Sequence, residues 1–221
     1  MARPMTIDFV SDVACPWCAI GLHGLEIALA RAADAVDAQI RFRPFELSPD
    51  MPVAGENMVD YLSGRYGSPP EKILASRAML RERAAEVGFA INLDDQSRVY
   101  NTFDAHRLLC WAAPQGRQQA LKHALFAAYF TRGENPGDQE VLVKAAEQAG
   151  LDGAEARAVL LSDRYADDVR QEEYLWQSRG ITGVPAAIID GRYLVSGAQP
   201  PEAYEQVLRQ IAAEPKQPPP G

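Results

Sequence analysis

The motif Cys15-Pro16-Trp17-Cys18 has the residue types and the spacing of a redox-active dithiol. Two thiols separated by two residues can close into a disulfide and open again by exchange with another disulfide. The alternatives are half of a structural zinc site and an inert structural disulfide. Structural zinc needs four ligands, and the remaining cysteine and histidines supply no second pair at ligand spacing. A bridge this short closes almost no loop and adds little stability, so redox chemistry is favoured.

The motif lies where a predicted strand leads into a predicted helix. Residues 5–10 are apolar and β-branched, as in a buried strand, and residues 20–36 repeat apolar residues at helical spacing. A helix N-terminus carries unpaired N–H groups and about half a positive charge, which stabilises a thiolate. We therefore expect Cys15 to be the more exposed and more readily ionised sulfur and to attack the substrate. Cys18, about one turn inside the helix, is predicted to be the resolving thiol.

The composition argues against several other classes of protein. The 221 residues are 47% hydrophobic and 24% charged, which suffices for the core of one large domain or of one domain with an insertion. The net charge is -8 and no run of lysine or arginine occurs, so nucleic-acid binding is not expected. No segment approaches the roughly 18 apolar residues of a membrane span, and no secretory signal is recognised. We therefore expect a cytoplasmic protein whose dithiol rests reduced.

Strand patterns occur at the two ends of the chain and helical patterns in the middle. After the dithiol helix, a second strand is predicted at residues 39–45. In the middle of the chain, helices are predicted at 58–65, 70–87, 102–113 and 117–132 and after Asp138, with Ser68 and Glu71 as a capping box for the second of them. Towards the C-terminus, the predicted elements are a helix at 165–179, a strand at 184–189, a turn at Asp190-Gly191, a strand at 193–195 and a helix at 201–213. This order predicts one α/β domain interrupted by an all-helical insertion.

Pro185 begins the predicted strand that follows Gly183 and Val184. Proline cannot donate to a strand ladder, so it is restricted to the edge or the end of a sheet, and a strand start is its ordinary interpretation. Only about one X-Pro bond in twenty is cis in folded proteins. A cis bond here would turn the preceding backbone outward, where it is available to pair with an extended substrate.

Three segments together resemble the DsbA-like thiol oxidoreductases, in particular their FrnE-like branch. They are the dithiol motif, the run Gly180-Ile181-Thr182-Gly183-Val184-Pro185 and the run Ser196-Gly197-Ala198-Gln199-Pro200. The resemblance covers nearly the whole chain and implies a thioredoxin fold interrupted by an all-helical insertion domain. The implied thioredoxin-like domain comprises residues 1–55 and 165–213, and the insertion comprises residues 56–164. Residues 214–221 are rich in proline and are predicted to be a disordered tail.

The resemblance also implies which residues contact the substrate. It places a cis Pro185 beside the Cys15 sulfur, and it suggests that the helix containing His106 faces the active site. Pro16 independently fits the first helical position, and Trp17 offers a flat apolar surface beside the sulfurs. The expected substrate-binding residues are Pro16, Trp17, Asn101, His106, Val184 and Pro185.

The expected reaction is thiol–disulfide exchange with a protein or small-molecule disulfide. Cys15 would attack, Cys18 would resolve the mixed disulfide, and a separate redox partner would recycle the pair, with no metal and no cofactor. The alternative is a glutathione-dependent isomerase or transferase of the 2-hydroxychromene-2-carboxylate isomerase or kappa type, with glutathione as co-substrate. Those relatives usually have serine at the position of Cys15, whereas this chain keeps both sulfurs. A binding or chaperone protein without redox chemistry is the third hypothesis.

Other titratable residues have more than one interpretation. Asp8 and Asp12 are candidates for moving protons during exchange, and equally for a solvated charge or a turn residue. His106 is a candidate for lining the active site and equally for packing between domains. It shares a helix face with the third cysteine, but two residues do not make a zinc site. The residues expected to have ordinary structural roles are His23, Cys110, His123, Phe126, Tyr129 and Phe130.

Overall fold

The computed structural model describes residues 2–52 and 54–215, and the elements below are those of this part of the chain. The strands are β1 (Arg3–Ser11), β2 (Val36–Pro44), β3 (Glu56–Asn57), β4 (Arg98–Val99), β5 (Ala186–Ile189) and β6 (Tyr193–Ser196). The helices are α1 (Pro16–Arg31), α2 (Met58–Tyr66), α3 (Pro70–Glu86), α4 (Phe103–Ala112), α5 (Gln118–Phe126), α6 (Gln139–Gln148), α7 (Gly153–Leu160), α8 (Ala166–Ser178) and α9 (Pro201–Ala213).

Four strands form the main sheet, in the order β2-β1-β5-β6. β1 pairs in parallel with β2 and antiparallel with β5, so the strand before the dithiol lies inside the sheet. Successive side chains of a strand point to opposite faces. Ile7 and Phe9 belong to the core that contains α1 and α9, whereas Val10 packs with Trp176 of α8 on the other face. The sheet is therefore covered by helices on both faces.

Helix α1 begins earlier and ends earlier than the apolar pattern predicts. Cys15 is its N-cap, Pro16 is its first residue, and Arg31 is its last. The predicted extension to residue 36 is wrong, because Val36 already pairs with Arg3 as the first residue of β2. The buried side chain of Val36 belongs to the start of this edge strand.

Two glycines of α1 allow the C-terminal segment to approach the helix closely. A Cβ atom at Gly21 would lie 3.2 Å from Cγ of Pro185, and one at Gly24 would lie 3.1 Å from the carbonyl oxygen of Gln199. Both distances are shorter than the roughly 3.5–4.0 Å of favourable carbon contacts. The lack of side chains at these two positions therefore allows Pro185 and the backbone of Gln199 to pack closely against the dithiol helix.

The middle of the chain is mostly helical, with three local differences from the prediction. The capping box is wrong: Pro69 is the N-cap of α3 and no side chain caps it, because the helix starts one residue too late for Ser68. β3 and β4 form a two-residue antiparallel ladder that was not predicted. The helix expected at 117–132 is divided, because α5 is followed by a π-helical turn at Ala127–Thr131.

The largest hydrophobic core extends across the predicted boundary between the two domains. Phe126, Tyr129 and Phe130 are buried in it, as predicted, together with Phe9 and Leu22 of the sheet domain. The division at residues 55 and 165 stays a prediction, since the two parts share this core. The predicted tail at 214–221 lies outside the described residues except for its first two positions.

A cluster of aromatic rings joins α1 to the helical part of the chain and predicts acid sensitivity. The His23 ring lies 4.8 Å from that of Phe89 and 4.9 Å from that of His123, which contacts Glu26 at 2.7 Å. Burial lowers the pKa of His23, and the neighbouring His123 lowers it further. The unfolded chain therefore binds a proton at His23 before the folded chain does as the pH falls below about 6.5.

We accordingly expect the melting temperature to fall when the pH is lowered from 7.5 to 5. His23→Phe keeps a ring in the cluster and removes the proton site, so the variant should lose part of this fall. Thermal melts of both proteins across this pH range measure the difference. Parallel curves for wild type and variant would show that His23 does not contribute.

Candidate functional site

The two thiols lie at the N-terminus of α1, as the sequence predicts. The N–H of Cys15 donates to the Asp12 carbonyl at 3.3 Å, and the N–H of Cys18 donates to the Cys15 carbonyl at 3.0 Å, which forms the first turn. Both cysteines are free; Cys15 is 3% exposed and Cys18 is 0% exposed. Burial, followed by the neighbouring Cys15 thiol, raises the pKa of Cys18 well above its ordinary value. Cys18 therefore needs a proton acceptor before it can act as a thiolate.

The loop that precedes β5 brings a backbone carbonyl to the Cys15 sulfur. The Val184–Pro185 bond is cis, which confirms the geometry implied by the family resemblance. The Cys15 Sγ atom lies 3.8 Å from the carbonyl oxygen of Val184. Pro185 is buried, Val184 is half-buried and Gly183 is exposed. The backbone of this loop thus faces the reactive end of the dithiol.

The side chains of Pro16 and Trp17 differ in exposure. Pro16 is half-buried at the first position of α1, whereas Trp17 is 36% exposed. An exposed indole next to a buried thiol offers apolar surface to a molecule that approaches from solvent. Contact of Pro16 and Trp17 with substrate stays a prediction that this placement permits.

Asp12 is buried directly before the dithiol and orders the turn that leads into α1. Its carboxylate accepts hydrogen bonds from the N–H of Leu47 at 2.7 Å and of Ala14 at 3.1 Å. Its Oδ1 atom also lies 3.5 Å from Nε2 of His106. Burial would raise the pKa of Asp12, but His106 and the two backbone donors together outweigh burial and lower it. The carboxylate is therefore held ionised and has a turn-forming role.

His106 and Asn101 are placed less favourably for binding a substrate. His106 is 1% exposed, and its Nε2 atom is at ion-pair distance from Asp12 without hydrogen-bond geometry. The ring is buried beside Asp12, and the expected contact of His106 with substrate stays a prediction. Asn101 accepts from the N–H of Phe103 and donates to the Pro49 carbonyl. Its polar atoms thus serve the local backbone, and substrate binding by Asn101 stays a prediction.

Asp8 does not have either of the roles considered for it. It is 6% exposed and forms ion pairs with Arg43 at 2.8 Å and Arg41 at 3.1 Å, both on β2. Arg43 also contacts Glu172 of α8, which places this cluster on the α8 face of the sheet. The dithiol helix covers the opposite face. Asp8 is therefore a structural ion-pair residue, neither solvated nor a proton carrier for the dithiol.

Lys122 also lies near the dithiol, although no motif in the sequence points to it. Its side chain is 0% exposed, and its Nζ atom has no hydrogen-bond partner among the described residues. The Nζ atom lies 4.9 Å from the ring centroid of Phe126, one helical turn further along α5. Burial lowers the pKa of Lys122 to about 8, although Cys18, Asp12 and Cys15 act in the opposite direction. A lysine on the same face as Phe126 and Phe130 is the signal that would have identified it.

The third cysteine shows no sign of reactivity. Cys110 is half-buried rather than fully buried as expected, and burial, together with the acidic groups of α8, raises its pKa to about 12.

In residues 2–52 and 54–215, no group of three or more His, Cys, Asp or Glu side chains is arranged to hold a metal ion. No helix in this part of the chain is long and apolar enough to cross a lipid bilayer.

A dithiol at a helix N-terminus, preceded by a sheet strand and facing a cis X-Pro bond, defines a thioredoxin-type site. The chain belongs to the DSBA-like thioredoxin domain family, whose model matches residues 6–209. This membership confirms the family resemblance inferred from the sequence, and with it a thioredoxin fold that carries a helical insertion.

Solved structures agree with this assignment. A probable DsbA oxidoreductase from Streptomyces coelicolor is 37% identical, with a TM-score of 0.88 over 96% of this chain and 92% of that chain. Two less similar proteins share the fold. A 2-hydroxychromene-2-carboxylate isomerase is 16% identical, with a TM-score of 0.69 over 93% of this chain and 95% of that chain. The cytosolic disulfide reductase DsbM from Pseudomonas aeruginosa, solved with GSH, is 15% identical, with a TM-score of 0.62 over 93% of this chain and 98% of that chain.

Proposed function

We propose that this protein is a thiol–disulfide oxidoreductase that acts through Cys15 and Cys18. The observation that carries the proposal is the placement of the Cys15 sulfur at the N-terminus of α1, 3.8 Å from the Val184 carbonyl, with Cys18 buried one turn behind it. Cys15 is the sulfur at the helix N-terminus, and Cys18, one turn further along α1, is placed to attack the mixed disulfide that forms on Cys15.

The reaction proceeds in two exchange steps. The Cys15 thiolate attacks one sulfur of a substrate disulfide, which breaks the substrate S–S bond, forms a mixed disulfide and releases the first substrate thiolate. The Cys18 thiolate then attacks the Cys15 sulfur, which releases the second substrate thiolate and leaves a Cys15–Cys18 disulfide. Two electrons have passed to the substrate, and a dithiol or two monothiols must return them. The reverse sequence oxidises a dithiol.

The substrate backbone is proposed to lie along the loop before Pro185. The Val184 carbonyl lies beside the Cys15 sulfur, and Thr182 and Gly183 are exposed, so an extended segment can reach the backbone groups of this loop. Trp17 supplies apolar contact on the other side of the motif. These contacts would hold a substrate disulfide in line with the attacking sulfur.

Lys122 is proposed to assist the second step. Cys18 must lose its proton before it attacks, and burial opposes this loss. The Lys122 amine has a pKa of about 8, so a fraction of it is neutral at physiological pH. Its Nζ atom has no hydrogen-bond partner among the described residues, so the proposed proton transfer from Cys18 runs through one bridging water or after a rotation of the lysine side chain. The resulting ammonium group then stabilises the Cys18 thiolate in a site where water is excluded.

Glutathione is a suitable recycling partner under this proposal, because a small thiol can reach a recessed dithiol. The fold shared with a reductase solved with GSH supports the choice and also suggests a reducing compartment such as the cytoplasm. A variant of the second cysteine tests the isomerase hypothesis. Turnover of an aromatic substrate with glutathione should survive Cys18→Ala if the protein is an isomerase, and disulfide reduction should not.

Insulin reduction with glutathione as the electron source tests the proposal. We expect the wild-type protein to accelerate the reaction and prior alkylation of Cys15 to abolish the acceleration. Titration of the dithiol against glutathione buffers gives the direction, since related enzymes have potentials between roughly -270 and -120 mV. Equal rates with native and alkylated protein would exclude the proposed chemistry.

A further inference from the structure

An apolar pocket adjoins the dithiol on the side of the helical insertion. Its volume is about 130 Å³, and Asp12, Ala14 and Pro16 form the part of its wall nearest to Cys15. The remaining wall consists mainly of aliphatic and tyrosine side chains from α2, α3 and residues 93–100. An engineered cavity of about 150 Å³ binds benzene, so a group of the size of an aromatic ring fits this space.

Arg77 is a charged residue in this otherwise apolar wall. It lies on α3 between Ile73 and Leu80, which line the same pocket at helical spacing. The residue is 6% exposed, and its Nη1 atom donates to the exposed carboxylate of Asp95 at 2.7 Å. Its Nε and Nη2 atoms are buried without an acceptor among the described residues. Buried guanidinium donors without partners are costly, and such groups are normally satisfied.

The geometry of the two free nitrogens indicates what would satisfy them. The Nε–H and Nη2–H bonds of a guanidinium form one side of its planar fork, which matches the two oxygens of a carboxylate. The other charged residue of the pocket wall, Asp12, already accepts two backbone hydrogen bonds and contacts His106. Arg77 is therefore the charged group of the wall with donors to offer a ligand.

We propose that this pocket binds the apolar, ring-sized part of a small disulfide or thiol substrate and that Arg77 pairs with a carboxylate on it. The inference rests on the proposed function only in assigning this ligand to the exchange reaction at Cys15. Ala14 and Pro16, the two chain neighbours of Cys15, line the pocket. A ring held against them places an attached sulfur on the dithiol side of the pocket.

A pair of aromatic disulfides tests the role of Arg77 during exchange. Dithiobis(nitrobenzoate) carries a carboxylate on each ring, and dithiodipyridine is uncharged. We expect Arg77→Gln to slow the reaction of the reduced protein with dithiobis(nitrobenzoate) by at least about tenfold, because a charge-assisted hydrogen bond is lost. The rates with dithiodipyridine and with insulin should change by less than about twofold, since neither needs the guanidinium.

Two further variants make the kinetic test specific. Arg83→Gln removes an arginine from the same helix whose side chain is 57% exposed and paired with Glu86, and it should leave all three rates unchanged. Arg77→Lys keeps the charge without the fork and should restore only part of the rate with dithiobis(nitrobenzoate). Equal slowing of all three substrates by Arg77→Gln would overturn the inference, because it would show a general effect on the dithiol.

Binding without redox chemistry separates this inference from the proposed function. In a protein carrying Cys15→Ser and Cys18→Ser, titration calorimetry with benzoate should show binding that Arg77→Gln abolishes, whereas neutral benzamide should bind weakly to both. If the wild-type protein exchanges no disulfides and the double variant still binds benzoate through Arg77, the pocket assignment stays intact and only the oxidoreductase is refuted. Exchange activity in the wild type with no Arg77-dependent binding of benzoate would refute only the pocket assignment.

Discussion

Cys18→Ser will leave Cys15 covalently joined to its substrate. Cys15 is the sulfur at the helix terminus beside the Val184 carbonyl, so it should still form the mixed disulfide. The variant lacks the thiol that resolves this intermediate, and release must await an external thiol. Mass spectrometry after incubation with glutathione disulfide should show one added glutathione per chain, located on Cys15, and catalysed insulin reduction should fall to the background of uncatalysed exchange.

Cys15→Ser and Cys110→Ser provide the comparison. Cys15→Ser should form no adduct at a comparable rate, because Cys18 is fully buried and its pKa is raised. Cys110→Ser should behave like wild type, because the pKa of Cys110 is about 12 and its thiolate is scarce at neutral pH. An adduct that forms on Cys18 as fast in Cys15→Ser as on Cys15 in Cys18→Ser would reverse the assigned roles.

Lys122→Met will raise the stability of the protein and slow the resolving step. The pKa of Lys122 is about 8, against an ordinary value of about 10.4, so the buried ammonium lowers the free energy of unfolding by about 3 kcal/mol below pH 8. Methionine has a similar length and no charge. The substitution therefore removes the cost of the buried ammonium and should raise the melting temperature by about 6–12 °C. Stopped-flow measurements should show a mixed disulfide that resolves about a hundredfold more slowly, because the proton acceptor for Cys18 is gone.

The pH dependence identifies the cause of the stabilisation. Between pH 8 and about 10.4 the folded lysine loses its proton while the unfolded lysine keeps it, so wild-type stability should rise with pH through this window relative to the variant. Lys144→Met is the matched control, since its side chain is 57% exposed and paired with Glu134, and it should change stability by less than about 0.5 kcal/mol. A Lys122→Met protein no more stable than wild type at pH 7 would show that Lys122 is not a buried charge.

Local patterns predicted the elements around the dithiol well. The strand at residues 5–10 lies within β1, and the closing helix at 201–213 has the predicted bounds. The hairpin between β5 and β6 turns at Asp190 and Gly191, both with positive φ, as the turn sequence indicates. Each of these features depends on residues a few positions apart, whose periodicity and turn preferences act through the nearby backbone.

The errors and omissions concern features that depend on distant contacts. The predicted end of α1 is too far along the chain. Val36 pairs with Arg3 as part of β2, and the apolar pattern of the sequence carries no sign of that pairing. Asp8 forms ion pairs with two arginines of β2, which lie more than thirty residues further along the chain. A carboxylate and its partners at such separation have no sequence signature in a single chain.

The amino-acid sequence by itself determined the dithiol, its place between a strand and a helix, and the family to which the chain belongs. Helix dipoles, apolar periodicity and motif spacing are local properties, so they can be recognised without the fold. Only the tertiary structure decided that Lys122 is buried near the sulfurs and that Arg77, which lines a pocket beside Pro16, has two donors without an acceptor among the described residues. Burial of a charge depends on which segments exclude water from it, and those segments come together only when the chain folds.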